Sequence, residues 1–296
     1  MNAELDWDVV VVGRSYAGLS TALTLGRARK STLVIGDGGP RNEAVRHVHG
    51  LLTRDGADPN EFVRMAEADV SRYPTVEIVT GRVGGIESVD GGFRVSFGGR
   101  TTTSRLIVLA TGVNDNPPPI PGLTEHWGRG VFTCPFCDGY ERADRPWALV
   151  GDPIEPRQVR ILTNWTDELT VFTSDEERSR KALADVPADG WRLDSRPIRR
   201  IHGDGESVTH IELDDGTKIE TAAVFVSPSF VPNSRLAADL GCRLDDRWFV
   251  EVDAMLATSV AGVFAVGDVT GPAHHMSVAI AHGTMAGGAA THLLLH

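Results

Sequence analysis

Cys134 and Cys137 stand two residues apart in the stretch TCPFCDGYE, and Asp138 follows the second directly. Such a pair can be a structural disulfide, half of a zinc site, or a working redox dithiol. Zinc needs four ligands. The one remaining cysteine, Cys242 in LGCRL, lies far along the chain, and no second pair has zinc-ligand spacing, so no metal is expected. Two cysteines at a bend can close a disulfide within its narrow geometric limits. Thiolate is the reactive form, so exchange also needs a group that moves protons, and Asp138 is placed to do so. The motif therefore reads as redox, and Cys242 as a small buried apolar residue. Histidines add further proton acceptors, because imidazole titrates near neutral pH. His47 and His49 sit in RHVHGLLTRDG, and His274 and His275 precede MSVAIAHG. His275 is the preferred candidate for deprotonating a substrate thiol.

Composition sets the frame for this chemistry. A chain of 296 residues is long enough for two domains with substantial cores. A net charge of −11 disfavours nucleic acid, which requires clustered positive charge. No window has the length and apolarity of a membrane span. The opening MNAELDW is acidic and runs straight into a strand, unlike a signal peptide. Three cysteines do not make a disulfide-stapled secreted scaffold. The expectation is a soluble cytoplasmic protein.

The elements that must position the motif are α/β in type. Asp8 to Val12 reads as a buried parallel strand, Ala17 to Ala28 as a helix, and Thr32 to Ile35 as a second strand. Between the first strand and the helix lies Gly13-Arg14-Ser15-Tyr16-Ala17-Gly18, a dinucleotide fingerprint with serine at its middle glycine. Gly13 permits the tight turn, Gly18 lets helix and sheet approach, and the helix N-terminus holds a pyrophosphate. An acid for ribose hydroxyls often ends the second strand; here that strand ends in Gly36, and Asp37 comes one position later. Near the other end, Val263 to Val266 forms a strand delivering Gly267-Asp268 to the ligand-facing edge of the sheet. The small-residue helix that follows points its N-terminus, near Ser277 and Val278, at any anionic ring system beside it. Nucleotide motifs at both ends imply one domain closed by both termini, residues 1–116 and 236–296. A second Rossmann-like unit, residues 117–235, is inserted between them. The proline-rich VNDNPPPIPGL supplies one link and SPSFVPNS the return.

These features together resemble a low-molecular-weight thioredoxin reductase. They are the opening Gly-x-x-x-x-Gly turn, ATG at 110–112, CPFCDG and GVFAVGDV, in that order and spanning nearly the whole chain. The resemblance implies two Rossmann-like three-layer domains, FAD as cofactor and a homodimer. It implies that Cys137 lies against the flavin, that Cys134 exchanges with substrate, and that Asp138 is the acid/base. Cofactor contacts would come from Gly13, Ser15, Ala17, Gly18, Asp37, Asn42, His49, Thr111, Gly112, Gly267, Asp268, Ser277 and Val278, with Asp268 on the ribityl chain.

One departure bears on function. The inserted domain of such enzymes holds NADPH with its own glycine-rich turn. Here Gly151 is followed by Asp152, Pro153, Ile154, Glu155 and Pro156. The prolines remove amide donors, and the carboxylates would face a pyrophosphate. Where a basic cluster should hold a 2′-phosphate, LTVFT runs into Ser174-Asp175-Glu176-Glu177, with Arg178 and Arg180 only afterwards. Without a nicotinamide, electrons arrive as substrate dithiols and leave to oxygen, or arrive from ferredoxin. The first case resembles the dithiol oxidases of gliotoxin and holomycin type, and the second the ferredoxin-dependent flavin thioredoxin reductases. The acidic balance gives no long-range steering toward an acidic ferredoxin, so the oxidase is favoured. A thioredoxin-like protein as the thiol partner, an NADPH-dependent reductase, and a flavin-bearing redox sensor without turnover remain alternatives.

Overall fold

A computed structural model describes residues 5–295; residues 1–4, part of the acidic opening segment, lie outside it. The chain divides into two compact units, Met1–Glu43 with Pro59–Asn114 and Phe230–His296, and Ala44–Asp58 with Asp115–Ser229. The boundaries anticipated at 116/117 and 235/236 differ from these by a few residues. Residues 44–58, anticipated as part of the first domain, group with the second unit. Two contacts explain that grouping. Gly128, at φ +72°, brings its Cα so close to the Ala44 backbone that a Cβ would collide with it, and Arg46 Nη2 donates to Glu206 Oε1 at 2.6 Å.

In the first unit the strand Trp7–Val12 lies at the centre of a seven-stranded sheet. It pairs in parallel with Thr32–Gly36 on one side and Arg100–Leu109 on the other, with Val12 opposite both Ile35 and Leu109. Val76–Thr80 extends the sheet beyond Thr32–Gly36. Gly92–Phe97 and Val83–Val89 add an antiparallel meander against the start of Arg100–Leu109. From the far end of the chain, Val263–Ala265 pairs in parallel with the end of that same strand, Ala265 opposite Leu109. Both faces of a parallel sheet are covered, which requires continuous apolar strands; Val9, Val10, Val11 and Val12 are all buried.

One covering layer is a helix pair. Tyr16–Arg27 packs on the C-terminal helix Met276–Leu293 through small side chains, with Ala286 and Ala290 fully buried. A Cβ on Gly283 would collide with the carbonyl oxygen of Ala17, and one on Gly287 would press into Thr24. Ser20 Oγ donates to Ile280 O at 2.7 Å across the same seam.

The second unit has a five-stranded parallel sheet. Its order is Trp191–Asp194, Leu169–Phe172, Trp147–Val150, Ala223–Val226 and Val131–Phe132. A separate antiparallel sheet joins Ile198–Gly203, Val208–Leu213 and Lys218–Glu220. Each unit is thus α/β with a parallel sheet at its heart.

The helix seam makes a specific prediction. Gly283→Ala forces a methyl against backbone and lowers stability by about 1–3 kcal/mol, the usual cost of overpacking. Gly288→Ala, where a Cβ meets open space, gains up to about 1 kcal/mol of helix propensity. Thermal unfolding of the two variants side by side measures the contrast; equal melting temperatures would refute it.

Candidate functional site

The first unit gathers the nucleotide motifs at the carboxyl edge of its sheet. Register puts Val12, Leu109 and Ala265 level, so Gly13, Ala110 and Val266 emerge together. Gly13 adopts φ +120° and donates its N–H to Ile35 O at 2.8 Å; a Cβ there would strike Ala110 O. Gly18 lies so close to Gly13 that no side chain fits between them. Ser15 is the N-cap of Tyr16–Arg27 but its side chain makes no capping bond, and no acid occupies the first turn. The first-turn amides are the unsatisfied donors of any helix start. Here neither a capping side chain nor a carboxylate competes with an incoming anion for them.

Gly267, at φ +75°, rests against Ala17 and Ala279, so the motifs from the two chain ends meet. Its N–H donates to His282 Nδ1 at 3.3 Å. Burial lowers the pKa of His282, and the charge of Asp268 opposes that. Asp268 itself accepts from Arg41 Nη1 at 2.8 Å, and the Arg41 guanidinium lies 5.0 Å over the Phe230 ring. Asn42 ties two helix starts together: it accepts from Tyr16 Oη at 2.8 Å and its amide nitrogen lies 3.9 Å from Met276 Sδ. Thr111 O and Gly112 O accept from Asn233, and Gly112 takes φ +65°. Asp37 is exposed just past the second strand. Ser277 and Val278 form the first turn of the C-terminal helix. His275, the preferred base candidate, is that helix's N-cap, and its Nδ1 accepts the Ser277 N–H at 3.2 Å. A single motif in sequence pointed to none of Arg41, Phe230, Asn233 or His282, which act across long stretches of chain.

The second unit carries the thiols. Cys134 and Cys137 form a disulfide with Cα atoms 5.4 Å apart, inside the normal range. Cys134 has extended backbone and caps the short helix Pro135–Asp138, whose proline stands at a first-turn position that needs no N–H. An aromatic layer carries this turn. Phe136 meets Trp165 edge-on at 5.3 Å, Trp165 stacks on Trp147, and Trp147 lies 4.7 Å from Phe225. Gly139 is obligatory against that layer, since a Cβ would press on Pro135 O and the Trp147 ring. Arg142 lies 4.3 Å over the Phe132 ring and donates to the Asp138 carbonyl at 3.2 Å.

Burial pushes the Asp138 carboxyl up to about 7, against the lowering fields of Arg142 and His49, while Glu141 adds to the rise. A carboxyl poised near neutrality is matched to proton transfer in both directions. His49, anticipated among the cofactor contacts, belongs to this second unit, with Nε2 3.5 Å from Glu141 Oε1 and Nδ1 3.5 Å from Asp55 Oδ1. His47 instead bonds the Gly56 carbonyl at 3.0 Å. Cys242 is buried, and burial raises its thiol pKa. Among the described residues, no group of three or more His, Cys, Asp or Glu is arranged for a metal ion. No described helix is long and apolar enough to cross a membrane.

A dinucleotide-type unit closed by both chain ends, with a second Rossmann-like unit bearing a disulfide between closely spaced cysteines, is the arrangement of a disulfide oxidoreductase. The chain belongs to the pyridine nucleotide-disulphide oxidoreductase family, whose pattern matches residues 7–159 and 176–283. It is similar over most of its length to a protein of Arthroderma benhamiae described as "Probable thioredoxin reductase". That protein is 30% identical over 305 residues, spanning 90% of this chain and 75% of its own. Thioredoxin reductase aclD of Aspergillus oryzae is 28% identical over 295 residues, 95% of this chain and 94% of its own. A solved oxidoreductase structure from Agrobacterium tumefaciens matches at TM-score 0.91 and 37% identity, covering 98% of both chains. The protein is an oxidoreductase of thioredoxin reductase type, and its cofactor is FAD. The open helix start behind Gly13 and the close-packed Gly267-Asp268 turn fit a dinucleotide of that kind.

The raised Asp138 pKa carries a stability prediction. Between 3.8 and about 7 the folded state binds a proton that the unfolded state has released. Stability attributable to this group therefore falls as pH rises through that window and is flat above it. Asp138→Asn removes the effect, so the variant gains melting temperature over wild type at about pH 8 and much less at about pH 5. A gain independent of pH would show that Asp138 titrates normally.

Proposed function

We infer that the protein oxidises a small-molecule dithiol to a disulfide through Cys134 and Cys137, with FAD reoxidised by oxygen, in the cytoplasm and as a homodimer. The observation that carries the reading is the turn after Val150. In a nucleotide-binding unit that turn presents free amides to a pyrophosphate. Here the helix Pro156–Leu162 begins with a proline, and its start is occupied by the chain's own groups. Gln158 Oε1 accepts the Glu155 N–H at 2.9 Å, and Asp152 accepts from Thr173 Oγ1 and from the Ser174 N–H. Burial raises the Asp152 pKa, but those hydrogen bonds outweigh it and leave the carboxyl below its ordinary value. A nucleotide phosphate would meet fixed negative charge. Past the next strand, Glu176 is engaged by Ser195 and Arg180, so no vacant basic cluster awaits a 2′-phosphate. Ferredoxin as electron donor is the second reading, and the net charge of −11 supplies no steering toward an acidic partner.

The thiol steps follow from the residues. The Asp138 carboxylate takes the proton of one substrate thiol. The resulting sulfur bonds Cys134 Sγ, the Cys134–Cys137 bond breaks, and its electron pair goes to Cys137. The second substrate thiol loses its proton and attacks the substrate sulfur of the mixed disulfide. Substrate S–S closes, Cys134 leaves, and the pair is left reduced. FAD, when bound, supplies the acceptor for the electron pair of that dithiol and the route onward to oxygen.

Two measurements test this. Under anaerobic conditions a small dithiol should bleach the flavin, whereas NADPH and NADH leave it oxidised; each lost charge-assisted phosphate bond removes about 1.5–3 kcal/mol of binding. Rapid stoichiometric bleaching by NADPH would return the protein to a conventional reductase. In the second, the reduced Cys137→Ser variant offered a small aromatic disulfide should accumulate a mixed disulfide on Cys134 visible by mass, because the Cys134 thiolate displaces one aryl thiolate and no Cys137 sulfur remains to displace the other. Accumulation in Cys134→Ser instead would exchange the two roles, and full turnover in either variant would make the pair structural.

A further inference from the structure

We propose that His49 is a positioning residue of the disulfide site, carrying substrate protons between Asp138 and the exposed carboxylates Glu141 and Asp55. The inference rests on the dithiol chemistry inferred above and explains what that chemistry leaves open. Each turnover removes two protons from the substrate. Asp138 is one half-buried carboxyl, so it holds one proton and must hand it on before accepting the next.

The geometry supplies a next stop. His49 lies in the turn Val48–Ala57, held by the Val48↔Ala57 bridge and by Asp55 accepting the Gly50 N–H at 2.8 Å. Its ring is about one-fifth exposed, with one nitrogen 3.5 Å from Glu141 and the other 3.5 Å from Asp55. Glu141 follows Asp138 by one turn of chain and is 39% exposed; Asp55 is 71% exposed. A proton entering one ring nitrogen can therefore leave from the other toward an acceptor open to water. The charged groups that act on the Asp138 carboxyl are Arg142, His49 and Glu141. Those facing Arg142 are Asp138, Glu141 and Arg145. The His47 ring lies 6.5 Å from that of His49 but is tied to Gly56 O. Of these groups, His49 alone offers two ring nitrogens, each 3.5 Å from a carboxylate that reaches solvent. Pairing of His49 with two acids would by itself suit a loop anchor, so the test must separate anchoring from proton transfer.

Anaerobic flavin-loaded wild type, His49→Gln and His49→Ala are mixed with dithiothreitol over a pH series. The reaction is quenched with iodoacetamide, and mass spectrometry counts alkylated Cys134 and Cys137. Wild-type opening of the disulfide should rise with pH through about 7, as Asp138 ionises. His49→Gln should be slower near that pH by about 10²-fold, the low end for a positioned proton-transfer group. Its midpoint should move upward, since the field that lowers Asp138 is gone. Free imidazole should restore His49→Ala. Wild-type rates and midpoint in His49→Gln overturn the proposal. A slower variant with an unmoved midpoint and no imidazole rescue overturns it too, leaving His49 an anchor. If the dithiol opens the disulfide but the flavin stays oxidised, the oxidase reading fails while the effect of His49 is still read. If the dithiol does not open it, the reverse exchange, reduced Cys134 and Cys137 with a small aromatic disulfide, reads the same midpoint shift and rescue.

Discussion

Three strand ends held level govern the first unit. Val12 stands opposite Ile35 and Leu109, and Leu109 stands opposite Ala265. A slip of one residue would turn every side chain of Trp7–Val12 to the other face, and with it misplace Gly13. An unbroken valine run cannot choose its register alone, and side-chain bonds at its start do so: the Asp8 N–H donates to Ser31 Oγ at 2.8 Å and Asp8 Oδ2 accepts the Ser31 N–H at 2.9 Å. Once it is fixed, the glycines follow as necessities. Gly13 passes under Ala110 at φ +120°, Gly18 passes Gly13, and Gly267 passes Ala17. Each contact brings backbone where a Cβ cannot go. The helix start left open by these approaches is where an anion is best held, because dipole and free amides act together.

The second unit applies a different constraint, the partial withdrawal of a carboxyl from water. Asp138 has an arginine and a histidine lowering its pKa, yet burial prevails. Charges at several ångströms act through a medium of high effective dielectric, whereas desolvation acts on the group itself. The aromatic layer of Phe136, Trp165, Trp147 and Phe225 holds the cysteine turn in place. Trp147 serves twice, since its Nε1–H also donates to Arg142 O at 2.9 Å.

What was legible in the sequence was whatever is local. The fingerprint at residues 13–18, the Gly267-Asp268 turn and the cysteine pair each sit within a few residues and declare their own backbone requirements. The strand Asp8 to Val12 and its helix were readable for the same reason, being strongly periodic or continuously apolar. Contacts that join distant residues left no such mark. Arg41 on Asp268, Asn233 on Thr111 and Gly267 on His282 depend on where strands end in space. The segment 44–58 was misassigned for this reason: nothing in RHVHGLLTRDG indicates that Glu141 and Glu206 are its neighbours. The Nδ1 of His275, the candidate base, closes the start of a helix, a role visible only once that helix has an observed first residue.

The chain contains two strand–turn–helix units that differ at the turn. After Val12 the turn is glycine-rich and the following helix start is unclaimed by any capping side chain. After Val150 the turn is proline-rich, and Gln158, Asp152, Thr173 and Ser174 satisfy one another around it. Buried or half-buried polar groups must find partners, and in this turn the chain's own side chains take the amides. Asp152 accepting the Ser174 N–H and Gln158 accepting the Glu155 N–H do so. The same unit serves the thiols: its parallel sheet positions Val131–Phe132, and that strand leads directly to Cys134.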